Sequence, residues 1–216
     1  MDLAQMREHY SEVGLSEDDV ADDPIVQFKR WFDEWLATRP YDANAVIAAT
    51  TDAEGWPAAR AVLLKGLDER GFVFHTNRRS AKGLDLEPSS RAALCFLWHP
   101  VERQVRVVGA VEHLPDDESD AYFESRPRGA QIAACASPQS QVIAGRAELE
   151  RLTAETEARL GPDAAVPRPP HWGGYLVRPL TVEFWQGRRN RMHDRLRYRR
   201  SGTAPGREWV IERLAP

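Results

Sequence analysis

Between residues 184 and 200 the chain reads FWQGRRNRMHDRLRYRR, a Phe–Trp pair followed by seven arginines, one histidine and one acidic residue. Arginine grips phosphate or carboxylate through a planar fork, and lysine does so as a point charge. An aromatic pair beside such donors can wall a flat ring. If residues 191–199 form a strand, alternate side chains share a face. Arg191, His193, Arg195, Arg197 and Arg199 then make a wholly basic face, with Met192, Asp194, Leu196 and Tyr198 on the other. Basic groups packed this closely repel one another unless water or anions lie between them. Two readings follow: a solvated edge strand, or a site for anions.

Other cations in strand contexts favour the second reading. Arg60 and Lys65 bracket the apolar AVLL, and Arg103 and Arg106 flank Gln104. Separated phosphate-type donors next to aromatic walls point to a flat anionic ligand, or to two of them. His193 lies between Arg191 and Arg195, and cationic neighbours keep an imidazole neutral. A neutral imidazole can hydrogen-bond a substrate or take a proton; a structural histidine would do neither.

Several chemistries are excluded. SPQS lacks the G-x-S-x-G context of a serine hydrolase, and the histidines show no H-E-x-x-H spacing. There is no phosphate-binding P-loop and no G-x-G-x-x-G, so a dinucleotide-binding domain is not supported. Cys95 and Cys135 lie in apolar runs without metal-ligand spacing and read as buried thiols in a reducing compartment. No metal site is expected. The net charge of -4 and pI near 5.9 make the arginine cluster local, so no nucleic-acid partner is expected. No run is apolar enough to span a membrane, and MDLAQMREHY lacks a signal-peptide pattern. The expected location is the cytoplasm.

The elements that must position these residues follow from periodicity. Leu3 to Tyr10 reads as a short helix or mobile arm, and residues 1–20 as a mobile N-terminal segment. Asp22 or Asp23 can cap a helix that starts with Pro24, in which Ile25, Phe28, Trp31, Phe32 and Trp35 recur at helical spacing. NAVIAATT, AARAVLLKG, FVFHT, RAALCFLWH and RQVRVVGAVEHL read as strands linked by Gly-containing turns. SAKGLDLEP reads as a short helix ended by Pro88. PDDESDAYFESRP, GAQIAACAS and AGRAELERLTAETEARLG read as helices, and residues from Tyr175 onward as three or four strands. Strands before and after a helical insertion predict one antiparallel barrel with helices packed outside, mainly β with α.

RAVLLKG, FHTNRRSAKG, WHPVERQVRVVG, YFESRPRGAQIAACASPQS, WGGYLV and EFWQGRRNRMHDR occur in the order and spacing of the pyridoxine (pyridoxamine) 5′-phosphate oxidase family. The chain resembles that family from about Met6 to the final ERLAP. The resemblance implies an FMN-binding split β-barrel over residues 1–216 and a homodimer with FMN at its interface. It also implies a pyridoxal 5′-phosphate synthase, which oxidises pyridoxine or pyridoxamine 5′-phosphate with O2 as acceptor and H2O2 as product.

Carried over by motif position, Arg60, Ala61, Val62, Leu63, Leu64 and Lys65 would run along the flavin. His75, Thr76 and Lys82 would contact FMN, Lys82 at its phosphate, and Gln104 would meet the flavin edge. Gln139 and Ser140 would add contacts from a second subunit, and Trp185 and Arg195 would complete the cofactor pocket. Lys65, Tyr122 and Arg126 would clamp the substrate phosphate. Arg191, Met192 and His193 would bind the substrate, Arg191 and His193 catalytically over its pyridine ring. Arg7 and Tyr10 match a segment that closes over the site. The chain departs from the family pattern at Ala81, where many relatives carry Arg, at Ala130, where many carry Ser, and at His75, often tyrosine. Arg78, Arg79 and Arg128 are neighbours that could supply replacement donors.

Overall fold

The computed structural model describes residue 10, residues 12–201 and residues 208–216. Of the expected arm over residues 3–10 only Tyr10 lies among them, and Arg7 does not; within the expected mobile segment 1–20, Leu15 and Glu17 are instead held by Asp194 and Arg213. The first helix, α1 (Pro24–Ala37), starts where Asp23 accepts hydrogen bonds from the backbone N–H groups of Ile25 and Val26. Pro24 occupies its first turn, where a missing N–H costs nothing. Ile25, Phe28, Trp31 and Trp35 form its buried stripe.

A meander follows: β1 (Ala45–Thr51), β2 (Pro57–Leu63), β3 (Gly66–Asp68) and β4 (Gly71–Asn77). Helix α2 (Ala81–Ser89) leads to β5 (Arg91–Trp98) and β6 (Arg103–His113). Helices α3 (Asp116–Glu124), α4 (Arg128–Ala136) and α5 (Arg146–Leu160) form the insertion, and β7 (Trp172–Gln186), β8 (Asp194–Arg200) and β9 (Trp209–Arg213) complete the sheet. Helix α2 passes its proline. Pro88 lacks only the bond to the carbonyl of the exposed Leu84, and the helix stops at Ser90, whose backbone is left-handed (φ 46°).

The strands pair antiparallel in the order β2-β1-β5-β6-β7-β4-β3, with β8 on β7 and β9 on β8. The sheet curls until β2 lies against β4, which makes the expected barrel. Strand β7 splits it. Residues 172–177 pair with β4 and residues 181–186 with β8, while β6 runs along both halves. Pro179 is tolerated inside β7 because it sits at a bulge, where the register with β6 shifts between Val108 and Gly109.

Phe28 and Trp31 of α1 plug the barrel against Phe72, Phe96 and Phe184. The opposite sheet face exposes Ile47, Leu63, Leu97 and Val108. No described helix is long and apolar enough to cross a membrane.

Candidate functional site

Two groups of side chains gather the residues singled out by the sequence. The first lines a cleft of about 300 Å³ formed by Ala61, Val62, Leu63, Lys65, His75, Thr76, Lys82, Tyr122, Arg126, Gln139 and Trp172. Strand β2 and its exit supply the first four, β4 supplies His75 and Thr76, and α2 supplies Lys82. Among the described residues no carboxylate lines the cleft, yet three cations do.

The Lys82 Nζ donates to Thr76 Oγ1 at 3.2 Å and Ser80 Oγ at 3.4 Å. Burial, and then the nearby Arg60, push its pKa down. The His75 ring stacks on Tyr122 at 4.0 Å and on Trp172 at 5.3 Å, and the Arg126 guanidinium lies 4.7 Å over Trp172. Both His75 ring nitrogens and one Arg126 nitrogen are buried without a hydrogen-bond partner. Burial, then Arg126 and Lys65, depress the His75 pKa to about 4. Burial also lowers the Arg126 pKa. Buried polar groups are normally satisfied, so a cationic cleft with orphaned donors has the chemistry of an anion site. A phosphate-bearing aromatic molecule fits both the donors and the stacked rings.

The second group lies at the far end of β7. Leu97, Gln104, Trp185 and Arg195 form a cross-strand row over β5, β6, β7 and β8. Trp185 packs 4.6 Å from the His193 ring, and Tyr10 stands edge-on to both, at 5.8 Å and 5.2 Å. The backbone N–H of Arg188 donates to His193 Nδ1 at 3.0 Å. The neutral ring therefore carries its proton on Nε2 and acts there as a donor. Burial and then Arg191 lower the His193 pKa. Arg191 and Met192 are exposed beside it, and Arg191 makes no ion pair among the described residues.

Several placements differ from expectation. Strand β8 begins only at Asp194, because Asn190 and Arg191 adopt left-handed backbone (φ 57° and 60°) in a 3-10 turn. Arg191 and His193 therefore do not share a strand face with Arg195, Arg197 and Arg199. Those three are balanced within the chain: Arg195 pairs with Glu183 at 2.9 Å, and Arg197 and Arg199 pair with Glu212 at 2.6 Å and 2.9 Å. The Leu64 side chain turns into the core. Arg60 turns to Thr50 and Asp85, at 2.6 Å and 3.4 Å, and leaves the cleft.

Gln139 needs no second subunit to reach Thr76, since its Oε1 accepts from that hydroxyl at 3.3 Å within one chain. Ser140 is exposed, with φ 72°, and does not line the cleft. Arg128 is engaged by the carbonyls of Gly161 and Ala164 and is no replacement anion donor. The Arg78 Nε is buried without a partner, and Arg79 is exposed.

Sequence reasoning missed Trp172, the outer ring of the aromatic stack. Its only sequence signal was the HWGG that opens β7. The separation of the two groups was missed as well: among the described residues no hydrogen bond, ion pair or ring contact joins them.

The fold is that of an FMN-binding split barrel. A pyridoxamine 5′-phosphate oxidase-related, FMN-binding protein from Nostoc punctiforme superposes with TM-score 0.70 at 19% identity, covering 90% of this chain and 98% of that one. PhzG from Burkholderia lata, solved with tetrahydrophenazine-1-carboxylic acid, superposes with TM-score 0.86 at 30% identity over 95% of this chain and all of that one.

Residues 32–159 match the pyridoxamine 5′-phosphate oxidase family, and residues 172–216 match the pyridoxine 5′-phosphate oxidase C-terminal dimerisation region. Pyridoxine/pyridoxamine 5′-phosphate oxidases of Salinibacter ruber and Cupriavidus necator are 56% and 53% identical to the chain, each aligned over 99% of both proteins. The chain belongs to the pyridoxine/pyridoxamine 5′-phosphate oxidase family.

Proposed function

We propose that the chain oxidises pyridoxamine 5′-phosphate and pyridoxine 5′-phosphate to pyridoxal 5′-phosphate, with FMN as cofactor, O2 as electron acceptor and H2O2 as product. The observation that carries this reading is the cleft beside the His75–Tyr122–Trp172 stack, which among the described residues is lined by three cations and no carboxylate. When bound, FMN supplies the two-electron oxidation. Ala61, Val62, Leu63, His75, Thr76, Lys82 and Gln139 would hold it from the first group, and Gln104, Trp185 and Arg195 from the second. Arg60, Leu64 and Ser140 would contribute through their backbone.

Lys65, Tyr122 and Arg126 would bind the substrate phosphate. His193 would orient the pyridine ring as an Nε2–H donor, since its Nδ1 is already occupied. Arg191 would favour the anionic phenolate of that ring by charge. Met192, Tyr10 and Arg7 would complete the enclosure.

The two groups lie apart within one chain, and residues 172–216, which include Trp185, Arg191, His193 and Arg195 of the second, match a dimerisation region. A twofold homodimer would bring the first group of one chain to the second group of its partner, with FMN between them. The exposed Ile47, Leu63, Leu97 and Val108 offer apolar surface for that contact. Residues 1–216 would act as one such unit, in the cytoplasm.

The test is aerobic turnover of the FMN-loaded protein with pyridoxamine 5′-phosphate, following aldehyde and H2O2 together. Equal yields of both, lost in the double variant Arg191→Ala/His193→Ala, are expected. Bound FMN with no turnover of either phosphate would refute the reading.

A further inference from the structure

The loop that presents His193 is held from outside the site. The Asp194 carboxylate accepts the Leu15 backbone N–H at 3.0 Å, Arg188 at 3.2 Å and Arg213 at 2.6 Å. Burial raises its pKa, but these three bonds together hold it below the ordinary carboxylate range. Arg188 is also the residue whose backbone N–H occupies His193 Nδ1. One side chain therefore fastens both ends of the turn that runs from Arg188 to Asp194.

The same carboxylate also ties down the segment that leads to Tyr10. Arg213 donates to Glu17 at 2.9 Å and 2.7 Å and to the Leu15 carbonyl at 2.9 Å. Gly14 lets the tip of the Arg188 guanidinium come close to the backbone, since a Cβ there would stand 2.5 Å from its Nη1. Residues 14–17 are thus bolted to β8 and β9 a few residues after Tyr10, whose ring lies against Gly187, Trp185 and His193.

We infer that Asp194, with Arg188 and Arg213, is a positioning residue: it locks His193 as an Nε2–H donor and docks the Gly14–Glu17 segment that sets Tyr10 against the His193 ring. It touches neither substrate nor cofactor in this role. The inference rests on the proposed oxidase reading for its kinetic consequence, but not for its structural one. The phosphate-binding group lies elsewhere in the fold, so loosening this turn should spoil ring alignment and leave phosphate capture intact.

The experiment compares the FMN-loaded wild type with Asp194→Asn, and with Arg188→Met in case the first variant does not fold. Glu212→Gln breaks the Arg197 and Arg199 pairs on the same strand and serves as the structural control. Turnover of pyridoxamine 5′-phosphate is measured with the 15N spectrum of histidine-labelled protein, His193 being assigned by its loss in His193→Gln. In Asp194→Asn, kcat should fall about tenfold or more with KM within about threefold, the pattern of an interaction needed in the transition state. His193 should change from a single Nε2–H tautomer to a tautomer mixture. Arg188→Met should move both readouts the same way by less, and Glu212→Gln should move neither.

An unchanged His193 tautomer in Asp194→Asn would overturn the inference, as would a kcat within twofold of wild type, roughly 0.4 kcal/mol in barrier terms. So would equal losses in Glu212→Gln. A wild type that binds FMN but turns over neither phosphate would refute the oxidase reading alone, and the tautomer result would still decide the positioning role.

Discussion

His75 should make the protein acid-sensitive in a way that one substitution removes. Its ring is walled by Tyr122 and Trp172, both nitrogens lack partners, and burial with Arg126 and Lys65 holds its pKa at about 4 against an ordinary 6.5. The other groups that line its cleft are Lys82 and neutral side chains, and Asp85, which acts on Lys82 from outside the lining, is itself paired with Arg60. The unfolded chain takes up the proton near pH 6.5, whereas the folded chain resists until about pH 4. Stability is therefore unaffected above about pH 7, is lost as pH falls through 6.5, and reaches its full loss below 4.

At about 1.4 kcal/mol per pH unit the full loss would be roughly 3 kcal/mol. The ring borders an open cleft, and solvent screening reduces that to about 2 kcal/mol, of which about 1 kcal/mol should appear by pH 5. The assay is urea unfolding of cofactor-free wild type and His75→Phe at steps from pH 7.5 to 5. Acid-sensitive carboxylates are common to both proteins and cancel in the difference. The stability difference should move in favour of His75→Phe by about 1 kcal/mol across that range. A pH-independent difference would refute the argument that this imidazole is buried neutral among cations.

Arg126→Ala should raise KM for pyridoxamine 5′-phosphate about 10- to 100-fold, as loss of a charged hydrogen bond to phosphate predicts, with a smaller change in kcat; steady-state kinetics checks this. Gly187→Ala places a methyl group into the Tyr10 ring. It should displace that ring and lower kcat severalfold with FMN affinity retained, read by flavin fluorescence titration beside turnover. Phe28, fully buried among Phe32, Phe72, Phe96 and Trp98, should cost about 3–5 kcal/mol when truncated to Ala, measured by chemical denaturation.

Elements whose residues meet within one turn or one hairpin were legible in the sequence. The aromatic stripe of α1 follows from the 3.6-residue period, and Asp23 caps it as its type demands. The Pro88 boundary shifted by one residue because Ser90, in left-handed backbone, takes over the stop. Alternation was misread at Arg191–His193, because two left-handed residues in a row break the strand and leave the charge pattern unchanged.

The basic strand face appeared unbalanced because its counter-charges are distant in sequence. Glu183 and Glu212 reach it only through the β7–β8 and β8–β9 pairings. In the register, Arg106, Glu183, Arg197 and Glu212 form a row of alternating sign across four strands. The cleft residues other than Trp172 were singled out individually by their motifs. Their division into two groups could not be, since motif order does not say which end of a fifteen-residue strand a side chain occupies.

That division has a genetic consequence. If each site draws its first group from one chain and its second from the partner, Arg126→Ala and His193→Ala damage different halves of it. Each homodimer alone would be impaired at both of its sites, yet a mixed dimer would hold one doubly damaged site and one built wholly from intact halves. Random reassortment of equal amounts would restore roughly a quarter of wild-type activity. Two impaired alleles of this gene would then complement each other in one cell, while two alleles damaged in the same half would not.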